Sequence, residues 1–189
     1  MRVHTLKSNG DTSEYRLSSP SVRVKQFVRS ILTRSDPEVD ASLRSLLAND
    51  EQYRFVTRLS PYDRAHLLRV HDLVRDAGWD NPDLLTAALL HDIGKADQRA
   101  RVRAWQRVAI VVTRRFLAEN RLRMIPPNLP RPLHGLYLGI HHAPLGAELA
   151  RMAGATPAAC SMIRDHERRD AQGNPALLAL IAADEAGIG

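Results

Sequence analysis

Leu89-Leu90-His91-Asp92-Ile93-Gly94-Lys95 is the stretch on which the reading of this chain turns. An apolar helical run, Leu84, Leu85, Ala87, Ala88, Leu89 and Leu90, delivers a histidine and an aspartate side by side, and a glycine and a lysine follow at once. A neutral imidazole and an ionised carboxylate both ligate divalent first-row metals, and the two oxygens of Asp92 would let it bridge two ions. Because the run is apolar nearly all round, the doublet is expected in the interior, where a carboxylate must be paired or must bind a cation. Gly94 is expected to let the chain turn. Lys95, one helical turn past His91, is placed to hold a phosphate oxygen.

Working outward, Asn81-Pro82-Asp83 opens this helix, and Ser60-Pro61 opens the one before it, which Gly78 ends. The preceding helix has a buried face of Leu67, Val70, Val74 and Ala77, with Asp63 elsewhere; His66 lies beside the buried stripe, and His71, five residues on, points away from His66. Further upstream, Asp36-Pro37 starts a helix with Leu43, Leu46 and Leu47. Residues 51–59 add a turn or two, an apolar stripe runs from Val24 to Leu32, and residues 1–20 read as a flexible tail.

Downstream, residues 98–131 carry nine arginines against one acid, Glu119, on an amphipathic helix whose apolar face is Val102, Trp105, Val108, Val112 and Phe116. A solvated face, a phosphate-binding rim near Lys95, a nucleic-acid footprint and a membrane-surface helix are all open readings of it. After a proline-rich loop come His134, His141 and His142, one of which is expected to face the site, and Pro144 is expected to open a further helix. Thr156-Pro157 begins a helix that ends at His166. Asn174-Pro175 begins the last, where Asp184 sits in an apolar run and is expected to be a ligand. No strand-like alternation, internal repeat or glycine-rich phosphate loop is found.

At 189 residues with 44% hydrophobic and 25% charged residues, the chain can build a core, which excludes disorder throughout. Its formal charge of +6 favours anionic partners without choosing among them. The single Cys160 cannot form an intramolecular disulfide and reads as core. No apolar run approaches the roughly 20 residues of a membrane span, and no signal-peptide core is found, so the expectation is a cytoplasmic protein.

The set His66, His91-Asp92, a histidine near 142, His166 and Asp184 falls on successive helices, as in sites built from the facing helices of a bundle. It resembles the HD superfamily of metal-dependent phosphohydrolases in its HDIG form, over residues 61–186. His142-Ala-Pro-Leu-Gly-Ala-Glu-Leu is similar to that family's H-P-x-x-G-A-E segment. Residues 165–175 echo the HD-GYP branch, but Asp165 replaces a histidine, Ala171 a glycine and Asn174 a tyrosine, so that branch's cyclic-dinucleotide substrate is not carried over.

The resemblance implies an all-α, HD-like helical bundle at residues 60–189, with residues 21–59 as an N-terminal helical extension. It implies one or two divalent ions, with iron, manganese, cobalt or nickel favoured and zinc or magnesium possible. His66, His91, Asp92 and Asp184 would hold the first ion, and His142 and His166, sharing Asp92, the second. Asp92 and Lys95 would serve catalysis. The implied activity is hydrolysis of a phosphate ester, a nucleotide or related metabolite, by a metal-activated hydroxide, with nucleic acid less favoured as a partner. The alternative is a catalytically silent sensor or interaction module that binds an anionic partner.

Overall fold

Five helices begin with the same device, a polar residue whose side chain accepts a backbone N–H of the first turn, followed by proline. Proline costs nothing there, because the first N–H groups of a helix have no intrahelical partner. In the computed structural model, which describes residues 34–122, 124–168 and 173–187, these caps open α1 (Pro37–Leu46), α3 (Pro61–Asp76), α4 (Pro82–Leu90), α8 (Pro157–Asp165) and α9 (Pro175–Gly187). Between them lie α2 (Asp50–Val56), α5 (Ala104–Phe116), the short α6 (Glu119–Leu122) and α7 (Arg131–Met152). Among the described residues the chain is all-helical, with one isolated bridge between Ala96 and Arg101. The expected tail and the stripe at 24–32 lie outside the described residues.

One main core joins the helices. Leu43, Val56 and Leu59 pack in the same cluster as Leu67, Val70, Leu84, Leu90, Ile163 and Leu180, so residues 37–59 share their interior with the rest. Fully burying one such leucine is worth roughly 2 kcal/mol. The helix α4 is the central element: it packs on α3, α8 and α9, and the chain then makes a short 3-10 turn at Ile93–Lys95 that lies against α7. This places the C-terminal end of α4 where α3, α7, α8 and α9 meet.

Several local expectations are corrected. Gly94 does not have a positive φ; it is needed because a Cβ there would lie 2.1 Å from the His142 carbonyl oxygen and 2.7 Å from the Gly146 nitrogen. The turn after Asp92 and helix α7 therefore touch backbone to backbone. Pro144 does not open a helix but lies inside the 22-residue α7, which carries His134, His141 and His142 together. Ala77 is exposed. Asp63 is buried at 2% exposure, because Arg107 reaches it from α5.

The expected apolar face of α5 faces outward for the most part. Trp105, Val108, Val112 and Phe116 are exposed, the last at 80%, while Gln106 and Ile110 are buried. Helix α5 is fixed to α7 through its other side, where Gly135 leaves room for the Gln106 amide and Gly139 for the Ile110 methyl. The amide of Gln106 accepts from Arg103 N at 2.7 Å and donates to Pro132 O at 2.9 Å. Among the described residues, no helix is long and apolar enough to cross a membrane.

Candidate metal centre

The candidate ligands come from five different helices or their ends. His91 is the C-terminal cap of α4 and His166 that of α8; His66 is on the inner face of α3, His142 in the middle of α7, and Asp184 near the end of α9. The four histidines and Asp92 are each no more than 4% exposed. Asp184 and Lys95 keep 23% and 19% of their side chains accessible, so the site opens to solvent past these two.

All four imidazoles are held alike. Nδ1 of His91, His142 and His166 lies 3.0, 3.0 and 2.7 Å from the carbonyls of Ala88, Gly139 and Ile163, each three residues earlier, and Nδ1 of His66 lies 3.3 Å from Gly187 O. A carbonyl only accepts, so Nδ1 carries a proton in each ring, and the inward Nε2 is the atom that would offer its lone pair to a metal, the arrangement that orients metal-binding histidines.

These Nε2 atoms converge on two carboxylates. His66 Nε2 is 2.8 Å from Asp184 Oδ1 and 3.9 Å from Asp92 Oδ2; His91 Nε2 is 3.4 Å from Asp184 Oδ1 and 3.6 Å from Asp92 Oδ2. On the other side of Asp92, His142 Nε2 is 3.5 Å from Oδ1 and 3.3 Å from His166 Nε2. Ligands about 2.1 Å from one ion stand roughly 3.0 to 3.4 Å apart at octahedral or tetrahedral angles. The spacings therefore suit an ion on each side of Asp92, with Oδ2 facing one group and Oδ1 the other. In agreement, His66, His91 and Asp92 form one compact ligand group and Asp92, His142 and His166 a second.

Among the buried side-chain atoms that have no hydrogen-bond partner, two belong to this site, His91 Nε2 and Asp92 Oδ1. Leaving such groups unsatisfied costs about 1–3 kcal/mol each, and a cation on each side of Asp92 would satisfy both. The donor set thus fits a divalent metal.

No known relative decides the matter: comparison with family models, curated proteins and solved structures finds no match. What the centre can do is read from its own groups.

Charge in the site is tightly coupled. Burial works against ionising Asp92, yet Lys95 at 2.6 Å and the surrounding histidines hold its carboxyl well below the usual range. Asp184 is likewise held well below that range, against burial, by His91 and His66. Burial alone would lower His91, but the two carboxylates raise it to about 9. Burial and the neighbouring His91 and His142 push His166 down to about 4, so it is neutral at pH 7 and free to donate its lone pair. Lys95 is raised by Asp92 against the effect of burial and remains an ammonium.

The structure brings His66, His91, Asp92, His142, His166, Asp184 and Lys95 together. His141 and His134 lie elsewhere on α7: the His141 ring packs 4.6 Å from Tyr137, and His134 Nε2 lies 2.7 Å from Asp97. His71 pairs with Asp72, away from the site. Two neighbouring pairs escaped the sequence reading. Arg107 donates to both oxygens of Asp63 at 2.7 and 2.6 Å, and Arg114 donates to Glu167, whose Oε2 is 4.0 Å from His142 Nδ1. Asp63 stands three residues after its cap Ser60 and reads as an ordinary first-turn acid. Nothing in the sequence marks its partner 44 residues away.

Proposed function

We infer that the chain is a metal-dependent phosphohydrolase of the HD type, a phosphomonoesterase or phosphodiesterase acting on a nucleotide or related phosphorylated metabolite. The observation that carries this reading is the convergence of four Nδ1-anchored imidazoles on Asp92 and Asp184 at ligand spacing. A divalent ion held there would acidify water and draw charge from phosphoryl oxygens, and the nitrogen and carboxylate donors favour iron, manganese, cobalt or nickel, with zinc or magnesium also accommodated.

The protein's own groups have distinct tasks in this reading. Asp92 is the shared ligand, its two oxygens directed to the two histidine pairs. Lys95 keeps its proton and adds fixed positive charge beside Asp92, where it would oppose negative charge building on a transferred phosphoryl group. The half-buried position of Lys95 and Asp184 makes that edge the approach for substrate. Asp63 holds Arg107 near Lys95 and contributes to the same field.

The second reading, a silent module that docks on an anionic partner, is favoured by one observation, the exposed Trp105, Val108, Val112 and Phe116 beside the arginines of α5. Metal content and turnover separate the two. The hydrolase is expected to purify with, or take up, divalent metal and to release phosphate or nucleotide from mononucleotide, cyclic or dinucleoside polyphosphate substrates with manganese or iron. A protein that binds no divalent metal and hydrolyses none of these substrates would leave the docking module.

A further inference from the structure

The segment between Lys95 and α7 builds a second feature that the metal centre does not use. An open cavity of about 880 Å³ is lined by Arg99, Arg101, Arg103, Arg107 and Arg131, and no carboxylate is among its lining residues. That volume is in the range that holds a nucleotide-sized ligand.

Hydrogen bonds hold the cavity wall together. Asp97 Oδ1 accepts from the backbone N–H of Arg99 and of Ala100, both at 2.8 Å, while Oδ2 lies 2.7 Å from His134 Nε2. Arg131 Nε donates to Arg99 O at 3.0 Å, and the Arg99 guanidinium donates to Pro127 O and Leu129 O. These acceptors are carbonyls, which orient the guanidinium groups without cancelling their charge. Arg107 is neutralised by Asp63, and Arg101 and Arg103 have no carboxylate partner among the described residues. Four positive charges, those of Arg99, Arg101, Arg103 and Arg131, therefore surround one hollow.

The hollow adjoins the metal centre. Val102, on its wall, donates its backbone N–H to Lys95 O at 2.9 Å, and Lys95 Nζ is bonded to Asp92. Arg107, on the same wall, reaches Asp63, whose carboxyl is held low, against burial, by Arg107 and by Lys95.

We propose that this cavity is a polyphosphate subsite, taking the non-scissile phosphates of a substrate that carries several phosphoryl groups in series. A single phosphate brings at most two charges near neutral pH, so matching the four arginines takes two or more phosphoryl groups in series within the cavity, beyond the one at the metal centre. Guanidinium forks suit such oxygens through paired charge-assisted hydrogen bonds. Placing the scissile phosphorus toward Asp92 rests on the phosphohydrolase reading above; the anion subsite itself does not.

The test uses inorganic tripolyphosphate and inorganic phosphate, titrated calorimetrically into the full chain without added divalent metal, which tripolyphosphate would chelate. Tripolyphosphate is expected to bind about tenfold or more tightly than phosphate, and the exposed pair Arg101→Ala/Arg103→Ala is expected to weaken it by about tenfold or more. Arg54→Ala/Arg151→Ala removes the same charge from the remote Glu51 and Glu148 pairs and is expected to change affinity by no more than about twofold. Equal binding of the two anions, indifference to the cavity pair, or an equal loss in the remote pair overturns the subsite. So does tight binding of a short DNA duplex that tripolyphosphate does not displace, since that outcome assigns the arginines to nucleic acid. If tripolyphosphate binds as expected while no phosphate ester is ever hydrolysed, the subsite stands and the hydrolase reading falls.

Discussion

Asp92→Asn keeps the shape of the side chain and removes the one charge that both histidine groups and Lys95 face. In protein stripped of metal, Lys95 at 2.6 Å and the protonated His91 then lose a buried counter-charge. Removing one partner of a buried pair costs about 3–5 kcal/mol, and the low end, about 3 kcal/mol, applies because Lys95 is 19% exposed and the amide oxygen still accepts its proton. At about 2–4 °C per kcal/mol for a chain of this size, the melting temperature should fall by about 6–12 °C. Metal should act in the opposite sense on the native chain alone. Cobalt or manganese at a hundredfold excess over its Kd stabilises a binding protein by about 2.7 kcal/mol, while the variant, without the carboxylate shared by both groups, should show no rise. Scanning calorimetry with and without metal, together with metal analysis of the dialysed proteins, reads both effects. An Asp92→Asn protein that melts within about 2 °C of the native chain and takes up the same metal would refute the reasoning.

The remaining predictions concern protons, packing and the second ligand group. With His91 raised from 6.5 to about 9, its stabilising contribution in metal-stripped protein is fully present below pH 6.5 and is lost as pH rises through about 9; His91→Gln should remove that part of the pH dependence of chemical denaturation. The same proton must leave when a cation binds, so calorimetry in buffers of different ionisation enthalpy should detect proton release on metal binding at pH 7 that fades above about pH 9. Gly94→Ala forces a methyl against the His142 carbonyl and should cost about 1–3 kcal/mol or more and weaken metal binding, measured by denaturation and metal titration. His142→Ala should lower metal stoichiometry while His141→Ala leaves it unchanged, because only His142 faces Asp92.

Much of this arrangement was legible in the sequence because its signals are local. Cap-proline pairs fixed where α1, α3, α4, α8 and α9 begin, and buried polar residues within apolar runs marked His91, Asp92 and Asp184. What escaped depends on partners distant in sequence. Asp63 reads as a solvated first-turn acid until Arg107 is brought to it, and helical periodicity located the apolar face of α5 without saying whether anything covers it. Of the three clustered histidines, packing chose His142: all lie on one helix, and the contact of Gly94, in the turn after Asp92, with the His142 carbonyl and Gly146 sets that helix's rotation. Pro144 misled for a related reason, since proline is a good start signal yet is tolerated inside a helix held this closely on one side.

The most direct measurement is anomalous diffraction from crystals of the native chain soaked in manganese or cobalt. Metal peaks are expected about 2.1 Å from His66 Nε2, His91 Nε2 and the carboxylates of Asp92 and Asp184, with a second between Asp92, His142 and His166. Soaked crystals with no peak at Asp92, or with metal only on surface carboxylates, would contradict the assignment of this centre.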